Sequence, residues 1–338
     1  MPVTSPLSSM RPINEPLVSI LIPCFNAEKY VGEAIESALA QTYPRIEVVV
    51  VDDGSTDGSL DVIRSFGRRI RCETGPKRGA CAARNQALRL SGGEFIQFLD
   101  ADDLLEPMKI AMQLPMLLAD EADIVLCRGL LFGDTRPACP IKRIVLPTPT
   151  ADAFIFLLNH PVGTENPLHR RSCLEKVGGF REDLPRAQEG NLHCRLGAAG
   201  ARLRAVDALL FRHRDHNGPR VSLQPQTPGY LCWFMISLLK ELESGPPYQF
   251  MKERRAALAG SLFQQAIFAY RDGAIEIARE GFKCATRLSS NPDYVERAWY
   301  KALVRALGPM RTEQLLATAR RYLRGHPKRE STSVVRVV

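Results

Sequence analysis

Three aspartates close a short apolar run at Phe98-Leu99-Asp100-Ala101-Asp102-Asp103. Carboxylates packed so closely repel one another, and a divalent cation such as Mg²⁺ or Mn²⁺, shared with substrate phosphates, removes that cost. The same residues also read as a helix N-cap, with Asp102 or Asp103 ahead of a helical stretch. A second acidic cluster, Val50-Val51-Asp52-Asp53-Gly54-Ser55-Thr56-Asp57-Gly58, opens a buried apolar run into a Gly- and Ser-bearing turn. An acid at that exit can accept hydrogen bonds from a ribose hydroxyl or a base N–H, and glycine lets backbone approach a ligand closely. D-G and S-T-D are also ordinary turn chemistry. The spacing matches neither G-x-G-x-x-G nor G-x-x-x-x-G-K-[ST], which disfavours dinucleotide and Walker-type loops.

The elements around these clusters alternate. Val18 to Pro23 is a continuous apolar, β-branched run ending at proline, as suits a strand buried on both faces of a parallel sheet. Tyr30 to Gln41 has helical spacing through Val31, Ile35, Ala38 and Leu39, and Ile46 to Val51 is a second buried strand. Asp57 then stands as the N-cap of a helix through Phe66. A short strand near Ile70 to Glu73, a helix from Gly79 to Leu90, a strand from Glu94 to Leu99, a helix Pro107 to Ala119 and a strand Asp123 to Cys127 follow. Such alternation predicts right-handed βαβ crossovers and a mostly parallel sheet flanked by helices, with ligands beyond the strands' carboxyl ends. The polar clusters 26–28, 52–55 and 100–103 each lie just past a strand end, so they are expected to converge on one crevice. Residues 135–149, punctuated by proline, resist assignment, and Gly190 to Ala199 reads as a helix.

Beyond about Ser222 the pattern is helical throughout, over Tyr230 to Leu242, Met251 to Arg271, Ala274 to Leu288 and Asp293 to Ala306. The expected organisation is a flexible leader (1–16), an α/β domain (17–222), an α-helical C-terminal region (223–326) and a disordered tail (327–338). Gly273, Ala278, Phe282 and Ala285 have the spacing of a tetratricopeptide-type hairpin, in one convincing copy where a free-standing array needs about three. The net charge of +8 comes wholly from Pro225 onward, where 18 basic residues face 10 acidic ones; the preceding part holds 27 of each. The basic residues are dispersed, as on a solvated helical face, and Leu315 to Leu323 with Arg320, Arg321 and Arg324 allows a short contact with an anionic membrane surface. No apolar run approaches the roughly 20 residues of a spanning helix and no signal-peptide pattern opens the chain, so a non-secreted protein without an anchor is expected. Nine cysteines without a C-x-x-C pair fit neither a disulfide framework nor a zinc site, and suit a reducing cytoplasm.

Four motifs occur in order over residues 17–105: Pro23-Cys24-Phe25-Asn26-Ala27-Glu28-Lys29-Tyr30, Val51-Asp52-Asp53-Gly54-Ser55-Thr56-Asp57, Arg78-Gly79 with Ala83-Arg84-Asn85, and Phe98-Leu99-Asp100-Ala101-Asp102-Asp103. Together they resemble the family 2 glycosyltransferases, with the Rossmann-like GT-A fold. The resemblance implies that Pro23, Phe25 and Glu28 line a nucleoside pocket, that Asp52 binds uracil, and that Arg84 and Asn85 sit near the donor's phosphates or base. Asp100 and the neighbouring Ala101 would meet the ribose or metal, and Asp102 would be the main ligand of Mn²⁺ or Mg²⁺ in a D-x-D motif.

Arg170-Arg171-Ser172 and Val177-Gly178-Gly179-Phe180 resemble the family's acceptor side, which is followed by an E-D pair whose Asp is the catalytic base. Here Gln188 stands for Glu, Glu189 for Asp, and Gly190 and Asn191 for a usual aromatic and Asp, so the resemblance makes Glu189 the base. Its extra methylene moves the carboxylate by about a bond length, and geometry governs general-base efficiency. Arg214-Asp215-His216 resembles a closing R-x-H in which His216 completes the metal or diphosphate site, and His213 reads as structural.

The expected activity is inverting transfer of a sugar from a nucleotide diphosphate donor, preferably a UDP-sugar, to an acceptor hydroxyl of a glycan or lipid-linked glycan. No nucleic-acid partner is expected. The place of action would be the cytoplasm, with peripheral contact at the inner face of the membrane allowed by the basic C-terminal region. Two other readings stay open: a nucleotidyltransferase, although Cys24 to Glu28 lacks the usual Gly-rich basic loop, and a degenerate sugar-nucleotide binding or scaffold protein, which intact Asp100 and Asp102 argue against.

Overall fold

The computed structural model describes residues 15–133, 136–216, 227–245, 251–289 and 297–325. Most of the expected leader, the whole tail and the expected boundary at 222/223, with Ser222, lie outside the described residues. The chain divides into two compact units, Met1–Gln224 and Pro225–Val338.

The first unit is a three-layer α/β structure. Strands β1 (Val18–Cys24), β2 (Ile46–Asp52), β3 (Arg71–Thr74) and β4 (Phe95–Phe98) alternate with helices α1 (Val31–Leu39), α2 (Ser59–Ser65) and α3 (Ala80–Leu90). Then come β5 (Leu104–Leu105), α4 (Lys109–Leu118), β6 (Ile124–Gly133), β7 (Arg136–Pro140), α5 (Ala153–Asn159), β8 (Leu168–Arg170), α6 (Arg171–Lys176), α7 (Gln188–Ala198) and β9 (Leu203–Asp215). The sheet runs β3-β2-β1-β4-β8-β6-β9-β5, with β7 beside β6. β3, β2, β1 and β4 are mutually parallel, as are β6 and β9, whereas β8 runs antiparallel to both β4 and β6.

The period of two along each strand assigns its side chains to two cores. Leu21, Val49, Val51, Ile96 and Phe98 pack with α3, α5 and α7 on one face. Ile20, Ile22, Val48 and Val50 pack with α1 and α2 on the other. Both faces being covered is why these strands read as unbroken apolar runs.

Two local expectations fail. Asp57 precedes the cap position, which Gly58 occupies; its carboxylate instead accepts from the Ser59 N–H at 3.0 Å. Nor does either acid cap a helix after the third cluster, because residues 104–105 form β5 and α4 starts only at Lys109, behind Met108.

The second unit is helical: α8 (Tyr230–Glu243), α9 (Lys252–Arg271), α10 (Ile275–Leu288), α11 (Ala298–Leu307) and α12 (Pro309–Gly325). α9 and α10 form the expected hairpin, turning at Gly273 (φ 86°), with Ala278, Phe282 and Ala285 buried. Gly281 allows the close approach, since a Cβ there would collide with Cys232 Sγ and lie 3.0 Å from Ala266 Cβ. Buried Glu313 on α12 accepts from the Tyr300 hydroxyl (2.7 Å) and Arg271 Nε (3.2 Å), tying three helices together. Arg320 also turns to Glu313 (3.5 Å), so this basic residue of α12 is engaged within the unit. All nine cysteines are free, and among the described residues no helix is long and apolar enough to cross a membrane.

Candidate active site

The order β3-β2-β1-β4 puts a topological switch point between β1 and β4, where ligands bind beyond the strand ends. Cys24 pairs with Asp52 in register, and Leu99 N donates to Leu21 O at 3.0 Å, so the exits of β2, β1 and β4 lie side by side. The three polar clusters do converge. Asn26, held at φ 51°, fastens the first exit to the second: its N–H donates to Ser55 Oγ (3.0 Å) and its Oδ1 accepts from Thr56 N (2.8 Å). Glu28 accepts from Gly58 N at 3.1 Å. Asp52 is buried and accepts from Ser55 N (3.3 Å) and Thr74 Oγ1 (2.9 Å); Asp53 takes the N–H groups of Arg78 and Gly79, each at 2.7 Å. Pro23 lies in β1 opposite Val51. Phe25 stays exposed at the rim, with the Lys77 ammonium 3.8 Å from its ring centre.

The third cluster divides its acids among different partners. Ala101 is buried, whereas the side chains of Asp100 and Asp102 are each 31% exposed. Asp102 Oδ2 lies 3.0 Å from His216 Nε2. Arg214 holds this arrangement from β9: its Nε donates to Asp102 O (2.9 Å), its backbone N–H to Asp103 (2.7 Å) and its guanidinium to Glu33 (2.7 Å). One carboxylate and one imidazole converging on a partly open strand exit fit a divalent cation; the imidazole favours Mn²⁺ over Mg²⁺.

Asp103 turns inward. It forms a set with buried Glu165 and half-buried His213, one ligand atom from each lying within 4.8 Å of the others. This set could also ligate a cation, yet its charge is balanced internally. Hydrogen bonds that the His213 ring donates to Asp103 and then Glu165 push its pKa up to about 11, while burial, reinforced by Glu165, pushes the Asp103 carboxyl well above its usual range.

Around α7, Arg84 is the connector. Its buried guanidinium donates to Asp100 Oδ1 (2.7 Å) and Gln188 Oε1 (3.1 Å), and lies 3.2 Å from Glu189 Oε1. Burial opposes its charge, but Asp100 and then Glu189 outweigh burial and raise its pKa. Glu189 also accepts from Thr164 Oγ1 at 3.1 Å and keeps 26% of its side chain exposed. Ala187, just before α7, sits in the left-handed region (φ 54°, ψ 30°), a strained conformation of the kind that gathers at functional sites. Asn85 does not reach the strand exits with its amide. It clamps Phe180 instead, donating to Phe180 O (2.9 Å) and accepting from Phe180 N (2.9 Å), which holds that ring 5.2 Å from the Arg84 guanidinium.

Beneath the site lies a buried polar layer. The loop carrying Thr164, Glu165 and Asn166 is pinned by Lys109, whose ammonium donates to Asn166 O and Gln113 Oε1, both at 2.8 Å. Burial lowers the Lys109 pKa. His169 on β8 and His193 on α7 face each other through their Nε2 atoms at 3.3 Å, in opposite tautomers. Burial depresses both, His193 to about 4.

Residues 19–178 match the model of the glycosyl transferase family 2. The chain belongs to that family. An uncharacterised glycosyltransferase of Haemophilus influenzae is 40% identical over 110 residues, covering 31% of this chain, and one of Rickettsia conorii is 30% identical over 273 residues, covering 74%. Both matches take in 44% of the relative's own length, so this chain spans less than half of either protein. Among solved structures, S. aureus TarS 1–349 in complex with UDP-GlcNAc aligns with a TM-score of 0.69 at 19% identity over 90% of this chain and 92% of that one. The mannosyltransferase PcManGT from Pyrobaculum calidifontis, in complex with GDP-Man and Mn²⁺, aligns with a TM-score of 0.51 at 20% identity over 93% and 89%. These likenesses show the fold, GT-A type with a helical C-terminal region.

Sequence reasoning alone did not single out Thr164 and Glu165. Both come from a loop at 161–167 whose proline and glycine read as turn chemistry, and whose only signal was three polar residues ahead of a strand.

Proposed function

We propose that this family 2 chain is an inverting glycosyltransferase, moving a sugar from a nucleotide diphosphate donor, preferably a UDP-sugar, to a hydroxyl of a glycan or lipid-linked glycan. The observation that carries the reading is the Arg84 guanidinium, which reaches both the D-x-D acid Asp100 (2.7 Å) and the carboxylate Glu189 (3.2 Å). A base candidate one side chain's span from the acids proposed for the donor side supports the reading. The nucleotide sugars bound by TarS and PcManGT support the donor class.

In this reading Pro23, Phe25, Glu28 and Asp52 bound the nucleoside, and Asp100 and Ala101 form the floor beneath the ribose. Asn85 serves by fixing Phe180 under Arg84. Asp102 and His216 would hold the divalent cation, which when bound supplies positive charge against the departing diphosphate. Glu189, oriented by Arg84 and Thr164, takes the proton from the acceptor hydroxyl as its oxygen attacks the anomeric carbon from the face opposite the leaving group. The configuration inverts, and no covalent enzyme intermediate forms. Free cysteines throughout fit a reducing cytoplasm as the place of action.

The test is nucleotide release from a panel of UDP- and GDP-sugars with Mn²⁺ or Mg²⁺, comparing wild type with Asp102→Ala. Metal-dependent turnover of one donor, lost in the variant, is expected. Donor binding that needs Asp102 without turnover under any acceptor mixture would favour a sugar-nucleotide binding protein instead.

A further inference from the structure

Gly190 follows the proposed base directly, in the first turn of α7. Glycine weakens a helix relative to alanine, so a glycine there calls for a physical reason. Three are available: a left-handed backbone, a neighbour too close to admit a Cβ, or the approach of something from outside the chain. The first does not apply, since Gly190 is not among the positive-φ glycines. Nor does the second, because a Cβ at Gly190 would meet nothing within 4 Å. Gly197 on the same helix makes the contrast: a Cβ there would lie 2.7 Å from the Phe154 backbone, so packing alone requires that glycine. What remains is a half-buried position that is open at Cβ. This open position directly follows, in the same turn, Glu189, whose Oε1 is fixed by Thr164 at 3.1 Å and Arg84 at 3.2 Å. It is also where resemblance to the family places an aromatic side chain.

We infer that Gly190 is a specificity-determining residue of the acceptor side: the missing side chain leaves space beside Glu189 for an acceptor hydroxyl carried on a bulky group, such as one sugar ring flanked by another. The inference rests on the glycosyltransferase reading. It adds the size class of the acceptor and the residue that sets it. A side chain at 190 would compete with the acceptor's neighbouring ring, while a small acceptor such as water would still reach Glu189.

The experiment compares wild type, Gly190→Ala and Gly190→Trp for two rates with the same UDP- or GDP-sugar: transfer to a panel of alkyl glycosides and oligosaccharides, and hydrolysis of the donor by water. A Cβ at 190 meets no neighbouring atom, so Gly190→Ala should fold and raise Tm by about 2–4 °C, and the rates of Gly190→Trp are compared once its thermal transition and donor KM match wild type. The expected result for Gly190→Trp is a fall of at least about tenfold in the ratio of transfer to hydrolysis, expressed in the KM for the glycoside and not in the KM for the donor. An unchanged ratio would overturn the inference, as would a lower Tm for Gly190→Ala, which would mean that packing requires the glycine. A wild type that releases nucleotide from no donor would bring down the glycosyltransferase reading itself, and this inference with it.

Discussion

The histidine pair between β8 and α7 sets an acid limit on the first unit. His193 has an ordinary value of 6.5 and is held at about 4 by burial, and His169 is lowered in the same direction. Both rings are neutral in the fold and become charged when the chain unfolds, so below pH 6.5 the unfolded state binds more protons and stability falls with pH. For His193 alone, a value moved from 6.5 to about 4 corresponds to a loss of about 2.5 kcal/mol between neutral pH and 4.5. His169 adds to it. The carboxylates with depressed values, Asp57, Asp120, Asp123, Asp183 and Glu36, lose their stabilisation only at lower pH. Asp103 acts with the opposite sign, because its raised value favours the fold as pH falls, so the comparison must be made against a variant. Both tryptophans, Trp233 and Trp299, lie in the second unit, so a probe within the first is needed. The assay is therefore urea unfolding read by hydrogen exchange in β8 and α7 at several pH values. Between pH 7 and 4.5 wild type should lose about 2.5 kcal/mol or more relative to His169→Leu with His193→Leu, in which Asp103 and His213 act unchanged. Equal slopes in the two proteins would refute the reasoning.

Three further outcomes are expected. Arg84→Met strands Asp100 and Glu189, but their side chains are 31% and 26% exposed, so water takes up part of the charge; the loss should be about 2 kcal/mol by urea denaturation, below the roughly 3–5 of a fully buried pair. Alanine at the two glycines of α7 should act with opposite signs on thermal stability: Gly197→Ala loses about 1–3 kcal/mol against the Phe154 backbone, and Gly190→Ala gains up to about 1 kcal/mol. Thr164→Val removes the hydroxyl that Glu189 accepts from at 3.1 Å, and should lower kcat for transfer while leaving the donor KM within about twofold.

The parallel half of the sheet was legible because strands covered on both faces read as unbroken apolar runs, and 18–24, 46–52 and 95–98 are such strands. β9 was not. Leu203–Asp215 mixes buried and exposed residues and carries six charged or histidine side chains, because it reaches from the core to the acidic loop, where Arg214 and, just past the strand, His216 act. β5 is two residues long and exists only by pairing with β9, which no local pattern announces. Among the site residues, the acids were found by type and position. What the sequence could not convey was the division of labour among them: Asp100 to Arg84, Asp102 to His216, and Asp103 inward to Glu165 and His213. That division depends on β8 and β9, the elements the periodicity missed.

The central claim is that Glu189 is the base of a site whose donor half works without it. Binding of the donor with Mn²⁺ and release of its nucleotide should therefore be measured side by side in wild type and Glu189→Gln. The account predicts donor affinity within about threefold of wild type, with transfer to the acceptor reduced by about 10²-fold or more. Transfer that continues at the wild-type rate in Glu189→Gln would contradict it.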